Sequence, residues 1–181
     1  MSQVTNTHLL LTGASGFLGT EIIKLCQAAG TPLRSVSRKP LSREDHVCLD
    51  LSAETLPASL FAGVDTVIHA AGLAHQFGSA ADDEAAFMAV NATAAETMIR
   101  AAAANGAQHF VLISSSGVYG PQSDMKIESD PCRPQGHYAV SKFRGEELTT
   151  QVAEETGIKP VSYTHLRSPR DQRGSRMPSS A

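Results

Sequence analysis

Cysteine is scarce in this 181-residue chain: Cys26, Cys48 and Cys132 are odd in number and scattered, with no two at zinc-ligand or redox spacing. That pattern excludes a disulfide framework and suits reduced thiols in the cytoplasm. Charge bias is also missing. A formal net charge of −3 gives no general reason to expect a nucleic acid or an anionic membrane as partner. No apolar run could span a bilayer, and the N-terminus lacks the basic region and long apolar stretch of a secretory signal. What is present, 41% hydrophobic and 18% charged residues, is the composition of one globular domain with a core of its own.

The organising stretch is Thr12-Gly13-Ala14-Ser15-Gly16-Phe17-Leu18-Gly19. It follows a short apolar run, His8 to Leu11, and precedes Leu18, Ile22, Leu25, Cys26 and Ala29 at helical spacing, with Gly30 as a stop. Strand, glycine turn and helix together are the setting of a dinucleotide-binding fingerprint. Gly13 takes the tight turn, Gly16 admits a pyrophosphate, and Gly19 lets helix and strand pack closely. A nucleoside-triphosphate loop is excluded, since that chemistry needs Lys-Ser/Thr after the last glycine and Thr20-Glu21 stand here.

Further strands are expected over Pro32 to Ser37, His46 to Asp50, Val64 to Gly72 and Gln108 to Ser114, with a sixth over Ile158 to Ser162. Helical segments are expected around Glu54 to Phe61, from Asp83 to Ala104 and from Tyr138 to Thr156. Such alternation predicts an α/β fold, a Rossmann-type doubly wound parallel sheet. An acidic side chain is missing where the second strand ends and a ribose 2′-hydroxyl would be read. Ser37 and Arg38 stand there instead and can donate to a 2′-phosphate, which leans toward NADP. His69 reads as a packed strand-end histidine and His75 as a loop residue. Neither has a second ligand at useful spacing, so no metal is expected.

Tyr138 and Lys142 lie four apart on one helix face. A neighbouring ammonium and a cationic nicotinamide ring stabilise a phenolate, so Tyr138 can take a hydroxyl proton as hydride leaves the same carbon. Ser115, at the mouth of the fifth strand, can hold the substrate oxygen.

Taken in this order, these motifs resemble the extended short-chain dehydrogenase/reductase family of nucleotide-sugar epimerases, dehydratases and reductases. The resemblance covers about residues 7 to 162. T-G-A-S-G-F-L-G looks like the family's T-G-x-x-G-x-x-G, Asp50-Leu51 its adenine-contacting pair, His69-Ala70-Ala71 its fourth-strand motif and Asn91 its helix asparagine. S-S-S-G-V-Y-G resembles its fifth-strand signature, and Glu146 the acid that commonly follows the Tyr-Lys pair. The resemblance implies catalytic Ser115, Tyr138 and Lys142. It implies cofactor contacts from Gly13, Ser15, Gly16, Phe17, Leu18 and Gly19, from Ser37, Arg38, Asp50 and Leu51, and from Ala70, Ala71, Gly72 and Asn91, with Tyr138 and Lys142 beside them.

The implied cofactor is NAD or NADP, the implied partner a nucleotide sugar, and the implied assembly a homodimer through the two long helices. The implied parent activity is UDP-hexose 4-epimerisation. The alternatives are an NADPH-dependent reductase of a sugar nucleotide or small carbonyl, and a non-catalytic dinucleotide-binding protein. One departure disfavours a dehydratase: the family's dehydratases carry Asp-Glu directly after the catalytic hydroxyl residue, and Ser116-Gly117 stand here. A second concerns the end of the chain. Residues 163–181, with four arginines against one aspartate and no apolar periodicity, look like a non-native or disordered tail. The expected organisation is therefore a cofactor domain over 1–162, with the C-terminal substrate region missing and little turnover by the chain alone.

Overall fold

Short apolar runs separated by amphipathic segments of ten to twenty residues can bury themselves only as central strands covered on both faces. The computed structural model, which describes residues 8–52, 56–74, 83–121 and 126–164, has that arrangement. Six parallel strands, β1 (Leu9–Thr12), β2 (Leu33–Ser37), β3 (His46–Cys48), β4 (Thr66–His69), β5 (His109–Ile113) and β6 (Lys159–Tyr163), form one sheet in the order β3-β2-β1-β4-β5-β6. The order reverses between β1 and β4, so a crevice opens there at the carboxyl ends of the strands.

Alternation along the strands divides the core between the two faces. Leu11, Ile68 and Leu33 pack with Ala14, Ile23 and Cys26 around α1 (Phe17–Ala29). Leu10, Val36, Val67, Phe110 and Leu112 face the other way, against Met98, Ile99 and Ala102 of α3 (Ala94–Ala104) and Val152 and Ala153 of α4 (Gly136–Thr156). Between β3 and β4, Arg34 donates to the carbonyls of Ser59 (3.3 Å), Leu60 (2.7 Å) and Ala62 (3.1 Å), closing a 3₁₀ turn over Ala58–Phe61.

Several expected boundaries shift for local reasons. The segment expected as one helix from Asp83 to Ala104 is α2 (Glu84–Met88), a π turn (Ala89–Thr93) and then α3. The wide turn places Asn91 in the interior, where its side chain bonds the Leu73 backbone. β3 stops at Cys48 because Asp50 Oδ1 accepts from the Ser52 amide and hydroxyl, an Asx-type turn. β6 runs one residue beyond the expected domain limit, since Tyr163 pairs with Ile113 and its carbonyl accepts from the Ser114 amide. The described part of the Glu54 to Phe61 segment is the 3₁₀ turn. His75 and residues 165–181 lie outside the described residues. Among the described residues, no helix is long and apolar enough to cross a membrane.

α4 approaches the π turn closely because it presents small residues there. A Cβ on Gly145 would fall 2.5 Å from the Asn91 carbonyl oxygen, a backbone atom that cannot step aside. Gly145→Ala is therefore expected to lower stability by about 1–3 kcal/mol through overpacking. The exposed Thr150→Ala on the same helix should stay within about 0.5 kcal/mol of wild type. Urea unfolding midpoints of the two variants decide the point, and equal midpoints would remove the close-packing account.

Candidate active site

The glycine turn is built on close approach. Gly13 has φ 70°, and a Cβ on it would sit 2.6 Å from the Ala70 carbonyl carbon and oxygen, so the turn after β1 lies directly on the end of β4. A Cβ on Gly19 would fall 2.3 Å from the Gly13 oxygen, which fixes α1 against the same turn. Gly16 caps α1 with no side-chain hydrogen bond, and the first helical turn holds no acidic residue. The amides of Phe17, Leu18 and Gly19 thus lack intrahelical acceptors, and the positive end of the helix dipole is uncompensated. These residues act through their backbone; the Phe17 ring is 86% exposed and Gly19 is buried.

Around this turn lies a cleft of about 550 Å³, lined by Gly13, Ser15, Gly16, Ala70, Ala71 and Gly72 at one end. At the other end it is lined by Ser37, Arg38, Lys39, Leu49, Asp50, Leu51 and Ser52. A dinucleotide fits these residues, with pyrophosphate at the open amides and small side chains leaving room beside β4. Asp50 is held below the usual carboxylate range by the Ser52 amide and hydroxyl, with Arg38 adding a smaller effect. Ser37 stands at the wall of this end. It is buried and its hydroxyl donates to the Lys39 carbonyl at 2.6 Å, so that hydrogen is already committed within the turn.

The chemistry-bearing residues converge beyond Gly72. Ser115 follows β5 and caps the short 3₁₀ turn Ser116–Tyr119, its Oγ accepting from the Gly117 amide at 3.2 Å. Tyr138, in the first turn of α4, is half-buried with its ring edge-on to Phe87, centroids 6.3 Å apart. Lys142, one turn on, is buried and donates from Nζ to the Ile113 carbonyl at 2.6 Å, two residues before Ser115. Gly72 joins this group to the cleft: a Cβ there would lie 3.1 Å from Asn91 Oδ1 and 3.8 Å from Lys142 Nζ.

Asn91 lies directly behind Gly72 at this end of the cleft. It is 1% exposed, accepts from the Leu73 amide (2.8 Å), and donates to the Leu73 carbonyl (3.0 Å) and Ser141 Oγ (3.0 Å). Its role is to hold the loop after β4 against α4. A second clamp on that loop escaped the sequence reading. Ala71 N–H donates to Thr12 Oγ1 (3.1 Å), which is also hydrogen-bonded to His69 Nδ1 (3.0 Å). His69 is packed, as expected, and stacks on Phe110 with centroids 5.9 Å apart. Sequence reasoning also missed Lys39 and Ser52 as cleft residues. Their signals were adjacency to Arg38 and the two-residue offset from Asp50 that an Asx turn requires.

Comparison with known proteins places this geometry. The chain matches the NAD dependent epimerase/dehydratase family over residues 9–180. It belongs to that family. It is 29% identical over 164 residues to a dTDP-glucose 4,6-dehydratase of Streptomyces griseus, covering 78% of this chain and 48% of that protein. It is 26% identical over 166 residues to the UDP-glucose 4-epimerase of Vibrio cholerae, covering 84% and 49%. Among solved structures, MoeE5 in complex with UDP-glucose and NAD superposes with a TM-score of 0.76 at 27% identity, covering 86% of this chain and 52% of that one. The chain thus spans about half the length of such relatives.

Within this family member, two buried bases sit close together at the end of the sheet. Burial pushes Lys142 down to about 8 from its ordinary 10.5, with Glu146 opposing the fall. His69 is pushed down to about 3, by burial first and by the Lys142 charge second. Burial raises the Glu146 carboxyl, while the Ser114 hydroxyl and Lys142 hold it back. His69 is therefore neutral beneath Lys142. Among the described residues no group of three or more His, Cys, Asp or Glu side chains is placed to hold a metal ion.

The depressed Lys142 has a consequence for stability. Between about pH 8 and 10.5 the unfolded chain binds more protons at this site than the folded one, so its contribution to folding becomes more favourable as pH rises. The full effect of the shift is roughly 3 kcal/mol. Denaturant unfolding of wild type and Lys142→Met across that range should show the difference between them growing in favour of wild type as pH rises. A pH-independent difference would mean that Lys142 is not depressed.

Proposed function

We propose that the chain is the cofactor-binding and proton-transferring part of a nucleotide-sugar 4-epimerase acting on a UDP-hexose. The observation that carries this reading is the placement of Lys142 between the cleft and Ser115, one helical turn from Tyr138. A bound nicotinamide dinucleotide would take a hydride from the sugar carbon and return it to the opposite face. Tyr138, as phenolate, removes the proton of the hydroxyl on that carbon and gives it back to the ketone oxygen when the carbon is reduced. Ser115 already accepts from the Gly117 amide, which leaves its hydroxyl hydrogen to orient the substrate oxygen. Lys142 spends one N–H on Ile113 and has two left, for a cofactor ribose and for stabilising the phenolate.

Ser116 and Gly117 have no group able to protonate or deprotonate carbon or leaving water, which favours epimerisation over 4,6-dehydration. A reductase is the second reading, favoured by Arg38 and Lys39 at the adenosine end of the cleft. In either case the sugar would be held by residues of a longer protein, so the 181-residue chain alone should show little turnover.

The test is made on the longer reading frame that contains this chain, supplied with UDP-glucose and no added cofactor. UDP-galactose should form, and in D₂O no deuterium should enter C4, because the hydrogen travels as hydride and returns. Tyr138→Phe should cut turnover by about 10²–10⁴-fold while dinucleotide binding persists. Stoichiometric NADPH consumption without epimer would favour the reductase. Unchanged output from Tyr138→Phe would favour a non-catalytic role. The same reading carries a homodimer through α3 and α4, expected as twice the monomer mass in light scattering of that longer protein; monomer alone would remove it.

A further inference from the structure

Tyr138 sits where a helix is least able to hold a side chain by itself. It is the third residue of α4, whose start has no side-chain cap from Gln135 and no acidic residue in its first turn, while Gly136 takes φ 75°. A start of this kind leaves the first amides unbonded, and tertiary contacts must hold it in place of a cap. Three such contacts come from one stretch, α2 and the π turn that follows it. The Phe87 ring, 3% exposed, meets the Tyr138 ring edge-on at 6.3 Å with the two planes 65° apart. Asn91 Nδ2 donates to Ser141 Oγ at 3.0 Å, and Ser141 Oγ donates to the Tyr138 carbonyl at 2.8 Å. His137 Nδ1, on the neighbouring residue, lies 3.6 Å from Glu84 Oε2. α2 is anchored in turn by Asp83, whose Oδ1 accepts from the Ala86 amide at 2.9 Å.

We propose that Phe87 and Ser141 are positioning residues for Tyr138: Phe87 fixes the ring, and Ser141, itself held by Asn91, fixes the backbone from which the ring projects. The inference rests on the proposed reading only in taking Tyr138 as the proton-transferring group. Phe87 and Asn91, four apart, meet Tyr138 and Ser141, three apart, so one face of the α2 stretch lies in register with one face of α4. Proton transfer requires the phenol oxygen to be within hydrogen-bond reach of the substrate hydroxyl, and rotation about χ1 carries that oxygen farther than any other atom of the side chain. An aromatic pair prefers an edge-to-face arrangement and so restricts that rotation. Phe87 is apolar and Ser141 is 0% exposed, so both act through Tyr138 and not on the substrate.

NMR of the 181-residue chain carrying tyrosine labelled with ¹³C in the ring and the carbonyl reads both contacts without turnover. The chain has three tyrosines, Tyr119, Tyr138 and Tyr163, and Tyr138→Phe assigns the signals of the second. In Phe87→Leu the Tyr138 ring signals should move toward those of free tyrosine, and in Ser141→Ala the Tyr138 carbonyl signal should move, with the signals of Tyr163 unchanged in both. Ser141→Cys, which keeps the volume with a weaker donor, should fall between Ser141→Ala and wild type. Ile99→Val, a truncation in the core face of α3, should leave the Tyr138 signals in place. In the longer reading frame, Phe87→Leu and Ser141→Ala should each lower kcat about tenfold or more with KM and dinucleotide affinity within about twofold, while Ile99→Val keeps kcat. Unmoved Tyr138 ring signals in a folded Phe87→Leu overturn the inference, as does a kcat that falls no further than in Ile99→Val. If wild type forms no UDP-galactose, the proposed activity fails, and the ring and carbonyl signals alone decide whether these residues hold Tyr138.

Discussion

An ammonium kept out of water at the end of the central sheet sets the terms for everything near it. Lys142 is 4% exposed and holds the Ile113 carbonyl at 2.6 Å, so α4 is tied to the end of β5 by a charge-assisted hydrogen bond. Burying that charge is unfavourable, and the depressed Lys142 registers how unfavourable. Its surroundings are arranged accordingly. Glu146 lies one turn further along the helix with its carboxyl pushed upward by burial, and the histidine packed nearby stays neutral. A protonated His69 would put a second buried cation beside the first. The buried charge is thus a liability to the fold, a compromise common where chemistry is placed on a packed scaffold.

That compromise is supported by polar clamps rather than by apolar packing. Thr12, His69, Asn91 and Ser141 are all buried, and each finds a hydrogen-bond partner across an element boundary. Thr12 links β1 to the end of β4, and Asn91 links the π turn to the loop after β4 and to α4. An apolar layer at this level would pack as well but would not fix the Ala71–Leu73 backbone, because backbone amides and carbonyls there need partners that leave the cleft side open. The wide π turn is the conformation that puts Asn91 in reach. π turns of one extra residue recur at functional sites for this kind of repositioning.

The architecture was legible because each of its determinants is local. Glycine spacing, apolar runs and alanine-rich helical stretches each carry their own period, and parallel order follows from their alternation. The positions of Ser115, Tyr138 and Lys142 were legible for the same reason, being tied to a strand end and a helix face. The π turn was not: a helix-period pattern gives no sign of it, and it sets the hydrogen bonds of Asn91 to the Leu73 backbone and to Ser141. Nor was the hydrogen bond by which Ser37 Oγ donates to the Lys39 carbonyl within the turn after β2. Both features involve polar side chains whose partners are distant in sequence or hidden in backbone geometry, and neither kind of partner has a period to read.

The cleft also separates two decisions along its length. Its adenosine end is shaped by β2, β3 and the turn after β3, held by Ser37, His46, Cys48 and Asp50. Its other end is shaped by β4, β5 and α4, held by Thr12, Asn91 and Lys142. β1 and its glycine turn lie between them and touch both. Among the described residues the two sets of clamps meet at that turn, where Ala14 N–H donates to the Val36 carbonyl at 3.1 Å. Side chains in separate hydrogen-bond networks with no shared partner act additively when substituted. Substitutions among the clamps of β2 and β3 are therefore expected to leave the Lys142 end of the cleft unchanged.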